Sequence, residues 1–262
     1  MASILRSAFA GLLLISLCAG LAEGKTPTTR PSSRWVPPVN DAPARRVGGA
    51  ARGCPEDPDL LVSLLAPAAS VGQTVQSQPV LYWYISKPTD RPVEITITPC
   101  GKGGKDIGAA PILDAIIPRT TTAGIQALSL ARPPANQPPV SLEVGVQYTW
   151  VVEAVVHDRD GADNPNATTR LERVMASASV AAIQSATLED RYEAYRRLGI
   201  WYDMLQSVNQ LIDTKKGDPA WREVRRELLS CQNLVEADDG KITEPVEQNW
   251  GAGKVSPRPL FH

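Results

Sequence analysis

The feature that most limits how this chain can fold is a change of hydrophobic period near Ser185. Before it, apolar residues alternate with polar ones or run in short blocks; after it they recur every three or four positions. Val93, Ile95 and Ile97 alternate strictly with Glu94, Thr96 and Thr98, the pattern of a strand with one buried face. Leu60 to Leu65, Pro79 to Ser86, Ile112 to Ile117, Gly124 to Leu130, Tyr148 to Val156 and Thr168 to Ala176 read as further strands. Pro, Gly, Asn and Asp separate them at close to sandwich spacing. Seven short strands without intervening helices predict an antiparallel, Ig-like β-sandwich over residues 57–182. Cys54, Trp83 and Cys100 repeat the Cys, Trp, Cys order of antibody domains, but Trp83 and Cys100 stand too close for the usual pairing across sheets, so the order is coincidental.

Beyond Ser185, Tyr195, Leu198, Tyr202, Leu205, Val208 and Ile212 make an apolar stripe on a helix. Thr187, three places before Asp190, resembles a capping box at the helix start. Asp218-Pro219 opens a second helix through Trp221, Val224, Leu228 and Leu229. The expected fold is therefore mostly β plus α, the sandwich being followed by a C-terminal αα-hairpin over residues 185–236. Leu198, Gly199, Tyr202, Leu205, Leu211 and Pro219 also bear a weak similarity to one tetratricopeptide repeat. A single repeat cannot bury its own faces, so the hairpin must lean on the sandwich or on a partner.

At the other end, Arg6 precedes an apolar run from Ala8 to Leu21, and Gly20 and Ala22 supply the small residues of a cleavage site before Glu23. Residues 1–22 are expected to be a secretory signal peptide, which places the chain in the periplasm or outside the cell. The run is about fourteen residues, against the roughly twenty a membrane span needs, so no span is expected. Leu17 stands where a lipobox needs a small residue, which argues against lipid attachment at Cys18. Residues 23–56 form a Pro/Arg/Gly-rich lead, expected to be flexible, and 237–262 an irregular tail. Removal of the signal would leave Cys54, Cys100 and Cys231, enough for one bridge; Cys54 with Cys100 is the expected pair, since both border the β domain.

Motifs that would carry chemistry are weak. His157-Asp158-Arg159-Asp160 could orient a base, and its alternating acids could ligate calcium. An EF-hand starting at Asp158 would need glycine at Asp163 and glutamate at Thr169, so a charged turn is the better reading. Gly101-Lys102-Gly103-Gly104-Lys105 misses the phosphate-loop pattern, with Pro99 in place of glycine and Asp106 in place of Ser or Thr. No cysteine and histidine cluster has zinc spacing, and no cofactor is expected. A formal net charge of −1 supplies no field for nucleic acid and favours a protein or small-molecule partner. Arg45 to Cys54, with Arg46 and Arg52 among glycines, reads as an anion cradle or as a solvated hinge.

Several segments together resemble the uncharacterised bacterial family known as domain of unknown function 928. They are Arg52-Gly53-Cys54, Pro79 to Tyr84, Leu142-Glu143-Val144-Gly145 leading to Tyr148 and Trp150, Leu171-Glu172-Arg173, and Gly199-Ile200-Trp201-Tyr202-Asp203-Met204-Leu205 followed by Trp221. The resemblance runs from about Arg45 to Glu247 and implies exported proteins with no assigned reaction. Trp201, Tyr202, Trp221, Arg52 and Arg173 are the candidate binding residues. Adjacent bulky aromatics in a helix are costly unless they pack, so Trp201 and Tyr202 are either core or a docking face, with core favoured. The expected function is a non-enzymatic interaction or ligand-sensing module of the cell envelope with a protein partner. The alternative is a periplasmic hydrolase or carbohydrate-active enzyme using scattered carboxylates or the His157 region.

Overall fold

Alternation in sequence becomes alternation in burial. In β5 (Val93–Pro99) and β8 (Gln147–Ala154) every second side chain is buried. The structure, a computed structural model, describes residues 35, 47–48, 60–117, 122–133, 137–155, 164–177, 183 and 185–232. The chain divides into Met1–Arg30 and Pro31–His262, and every described residue belongs to the second unit. The remaining described strands are β1 (Val47–Gly48), β2 (Val62–Leu64), β3 (Gly72–Thr74), β4 (Val80–Ile85), β6 (Leu113–Ile117), β7 (Gly124–Ser129) and β9 (Asn166–Arg173). They form a four-stranded sheet in the order β1-β2-β4-β7 and a five-stranded sheet in the order β3-β9-β8-β5-β6. All seven strands expected from the sequence are present.

Two strands were not foreseen, and one corrects the expectation of purely antiparallel pairing. β3 lies parallel to β9, with Gly72 opposite Leu171 and Thr74 opposite Arg173. Its Gly-Gln-Thr sequence is short and carries no apolar period, so nothing marked it as a strand. β1 pairs with β2 inside the segment expected to be a flexible lead. Trp35, in the same segment, is buried against Trp201, ring centroids 4.9 Å apart and edge-on. A buried indole contributes contact area to the core at that position.

The C-terminal region corrects the expected two-helix hairpin, because among the described residues it holds three helices: α1 (Leu188–Leu198), α2 (Trp201–Thr214) and α3 (Ala220–Ser230). Thr187 caps α1 as its sequence implies, its hydroxyl accepting from the Asp190 amide at 3.2 Å. The apolar stripe runs on past Gly199, yet the helix does not. Gly199 adopts φ 74°, the left-handed conformation open to glycine, and the amide of Ile200 donates to the Tyr195 carbonyl at 3.0 Å. This is a Schellman stop, and buried Ile200 and Tyr195 supply its apolar contact. The chain then turns into α2. Asp218 accepts from the Ala220 amide at 2.9 Å and opens α3.

One apolar cluster draws on both sheets and all three helices. In β4 every residue after Val80 is buried, and in β7 every residue before Ser129, so both faces of these strands are covered. α2 packs on β3 and β4, and ten of its fourteen residues are buried. Such a helix sits inside the molecule rather than on its surface. It comes close to the backbone of β3, where a Cβ on Gly72 would stand 2.6 Å from the Tyr202 ring. The sheet edge at β6 is partly blocked, Gln137 Nε2 donating to the Asp114 carbonyl at 2.9 Å.

Gly72→Ala should therefore destabilise the fold by about 1–3 kcal/mol, the usual cost of overpacking, and Tyr202→Ala by about 3–5 kcal/mol, the usual cost of aromatic truncation. Urea titrations of the two variants check both values; an unchanged midpoint for Gly72→Ala would mean the ring is free to withdraw.

Candidate functional site

α2 is apolar enough to be buried, yet Asp203, Gln206, Asn209 and Gln210 recur along it at spacings of three and four. These positions form a polar stripe beside the apolar one, and each side chain must find partners where α2 meets the sheets. Asp203 is almost fully buried; its Oδ2 accepts from the Val75 amide at 3.2 Å, and its Oδ1 is buried without a hydrogen-bond partner. Burial pushes its carboxyl up to about 6, although Thr74, the Val75 amide and Gln76 act to lower it. One turn on, Gln206 Oε1 accepts from Gln76 Nε2 at 2.9 Å. Further along, Asn209 Oδ1 accepts from the buried Arg225 of α3. Asn209 also hydrogen-bonds Tyr82 of β4, whose phenol is raised well above its ordinary value by burial. Asp213 lies close enough to Arg225 to feel its charge, but burial still raises its carboxyl.

Where this stripe crosses β4 and β7 a groove of about 190 Å³ opens, lined by Val80, Tyr82, Ala127, Ser129, Arg132, Gln206 and Gln210. Its apolar wall comes from Val80 and Ala127 and from the ring of Tyr82; its polar groups are two carboxamides, two hydroxyls and a guanidinium. The turn after β7, closed by the Arg132 amide donating to the Ser129 carbonyl at 3.0 Å, carries Arg132 in the exposed part of the lining. The groove thus combines apolar walls with a few polar groups.

The aromatic candidates lie in the interior. Trp201 is 0% exposed, with its indole N–H donating to the Leu65 carbonyl at 2.8 Å. Tyr202 is equally buried, and its hydroxyl accepts from Trp150 Nε1 at 3.2 Å. Trp221 is 4% exposed and meets Tyr192 edge-on at 5.3 Å. All three are core, so they offer no docking face, and none of them lines the groove. Arg173 is a staple: its guanidinium donates to the Leu142 carbonyl at 2.8 Å and to the Val75 carbonyl at 3.5 Å. Arg52, Cys54, His157, Asp158 and Asp160 lie outside the described residues. Cys100 is a half-buried free thiol with Sγ 3.1 Å from Thr149 Oγ1. Among the described residues no group of three or more His, Cys, Asp or Glu could hold a metal, and no helix is long and apolar enough to cross a membrane.

Two sheets joined by one core to three helices, with a polar-lined groove against the central helix, define a mixed β and α protein. The profile described as Domain of Unknown Function (DUF928) matches residues 47–242, well over half of the chain, and the chain belongs to this family. No curated protein and no solved structure gives a significant match.

Asp203 sets a pH dependence whose sign is fixed. Its folded pKa, about 6, lies above the unfolded value near 3.8. The folded state therefore holds the proton more tightly, and the stability this gives is complete below the unfolded pKa and is lost as pH rises to about 6. The loss approaches about 3 kcal/mol, at roughly 1.4 kcal/mol per pKa unit. Asn at this position keeps an acceptor for the Val75 amide and cannot ionise. Between pH 4 and pH 7, Asp203→Asn should gain stability relative to the parent chain, measured by urea unfolding at each pH. A constant difference across that range would remove Asp203 as the source.

Proposed function

We propose that this protein is an exported, non-enzymatic ligand-sensing module of the cell envelope, and that the groove between α2 and the β4–β7 strands is its ligand site. The supporting observation is the lining itself. Gln206 is held by Gln76 on one side and faces the groove, so a polar group is placed there before any ligand arrives. Val80, Tyr82 and Ala127 are held by the β4–β7 ladder, in which Val80 pairs with Ser129 and Tyr82 with Ala127. The volume is below the about 300–1,000 Å³ typical of drug-sized ligands, which suits a small molecule. Export rests on the signal-like residues 1–22.

The scaffold reading is an Ig-like sandwich, to which α1–α3 are added. The orders β2-β4-β7 and β9-β8-β5-β6 correspond to A-B-E and to G-F-C-C′ of variable-type domains. Tyr148, at the start of β8, accepts on its hydroxyl from the Glu143 amide at 2.8 Å, the arrangement of a tyrosine corner. Two residues on, where antibody domains place a cysteine of the inter-sheet disulfide, stands Trp150, whose indole instead bonds Tyr202.

The test is saturation-transfer NMR of the mature chain against fragment-sized polar compounds, with Ala127→Leu as the variant that fills the groove. Ligands seen with the parent chain should vanish with Ala127→Leu while its melting temperature stays within a few degrees. Ligands that persist would place binding elsewhere, and product signals growing in over time would favour the hydrolase.

A further inference from the structure

We propose, building on the reading of the groove as a ligand site, that its ligand is a small monocarboxylic acid whose carboxylate sits between Arg132 and Gln206 and whose apolar body lies on Val80, Tyr82 and Ala127. The inference starts from the balance of donors and acceptors. Gln206 Oε1 already accepts from Gln76 Nε2, and the Gln206 N–H₂ keeps its donors for the groove. Arg132 adds the guanidinium fork, which is donor only, and Ser129 a hydroxyl able to donate. No acidic side chain lines the groove. Among the described residues no carboxylate forms an ion pair with Arg132.

Carboxamide and hydroxyl donors beside a guanidinium that pairs with no carboxylate among the described residues fit a ligand that brings acceptors and negative charge. The guanidinium fork matches the two oxygens of a carboxylate, and one cation compensates one charge rather than the two of a phosphate monoester. The apolar side of the groove gives the rest of the ligand a surface to cover, and its volume restricts that part to a short chain or a single ring. Arg132 is exposed, so its charge is hydrated and costs the fold little.

Isothermal titration of the mature chain with matched probes tests this: propionate against propionamide, benzoate against benzamide, and inorganic phosphate. Each carboxylate should bind at least about tenfold more tightly than its amide, the scale of one charge-assisted hydrogen bond. Arg132→Gln should remove that preference with an unchanged melting temperature. Gln206→Glu keeps an acceptor for Gln76 but turns a negative oxygen towards the groove, and it should abolish carboxylate binding. Amides binding as well as acids, phosphate binding more tightly than either acid, or an Arg132→Gln variant that keeps the preference would each overturn the carboxylate assignment while leaving the groove a ligand site. Absence of binding by every probe also overturns it, and the groove itself is then judged by the fragments that Ala127→Leu displaces.

Discussion

Everything in this molecule is arranged around a helix that has almost no solvent side. α2 carries two large aromatics at its first two positions, and each has a polar atom that must be satisfied once buried. The indole N–H of Trp201 reaches the Leu65 carbonyl next to β2, and the hydroxyl of Tyr202 meets Trp150 in β8. These two bonds fix the helix to both sheets at once. Asp203, the next residue, binds the Val75 amide just after β3. Three consecutive side chains thus tie α2 to three separate parts of the β domain, and the interior between the sheets is completed only when they are in place.

How much of this could be read in advance depends on which kind of signal each element carries. β5, β6, β8 and β9 alternate because one face of their sheet is packed and the other is at least partly exposed, and a period of two is legible in a single sequence. β3 has no such period; it exists because Gly72 lets Tyr202 approach the backbone, a long-range fact that no local pattern records. Gly199 was visible as a glycine within a helical stripe, but the stripe argued for continuity. The left-handed stop won because the chain had to redirect Trp201 and Tyr202 into the core. The groove was hidden for a similar reason. Tyr82 and Ala127 become neighbours of Gln206 and Gln210 only through the packing of β4 and α2, although the polar stripe on α2 was present in the sequence to be noticed.

The same stripe shows a division of labour along one helix. Its apolar side follows the rule that large side chains stabilise by leaving water. Its polar side runs against that rule, burying a carboxyl, a carboxamide and, from α3, a guanidinium. Such groups are tolerated inside a protein when they bond one another, as Asn209 does with Arg225. They favour one seating of the helix over others, since sliding α2 by a turn would leave each of them without its partner. The Asp203 carboxyl keeps one buried oxygen outside this arrangement.

The bonds that seat α2 also span long stretches of chain. Leu65 and Trp201 are separated by 136 positions and Val75 and Asp203 by 128; beyond α3, the Ala68 amide meets Gln232 across 164. A ribosome delivers the strands well before their wedge. Until the last third of the polypeptide has been made, the two sheets have an unfilled seam, and loop closure over such distances is slow. The final form of the β region therefore waits on residues that follow it in the chain.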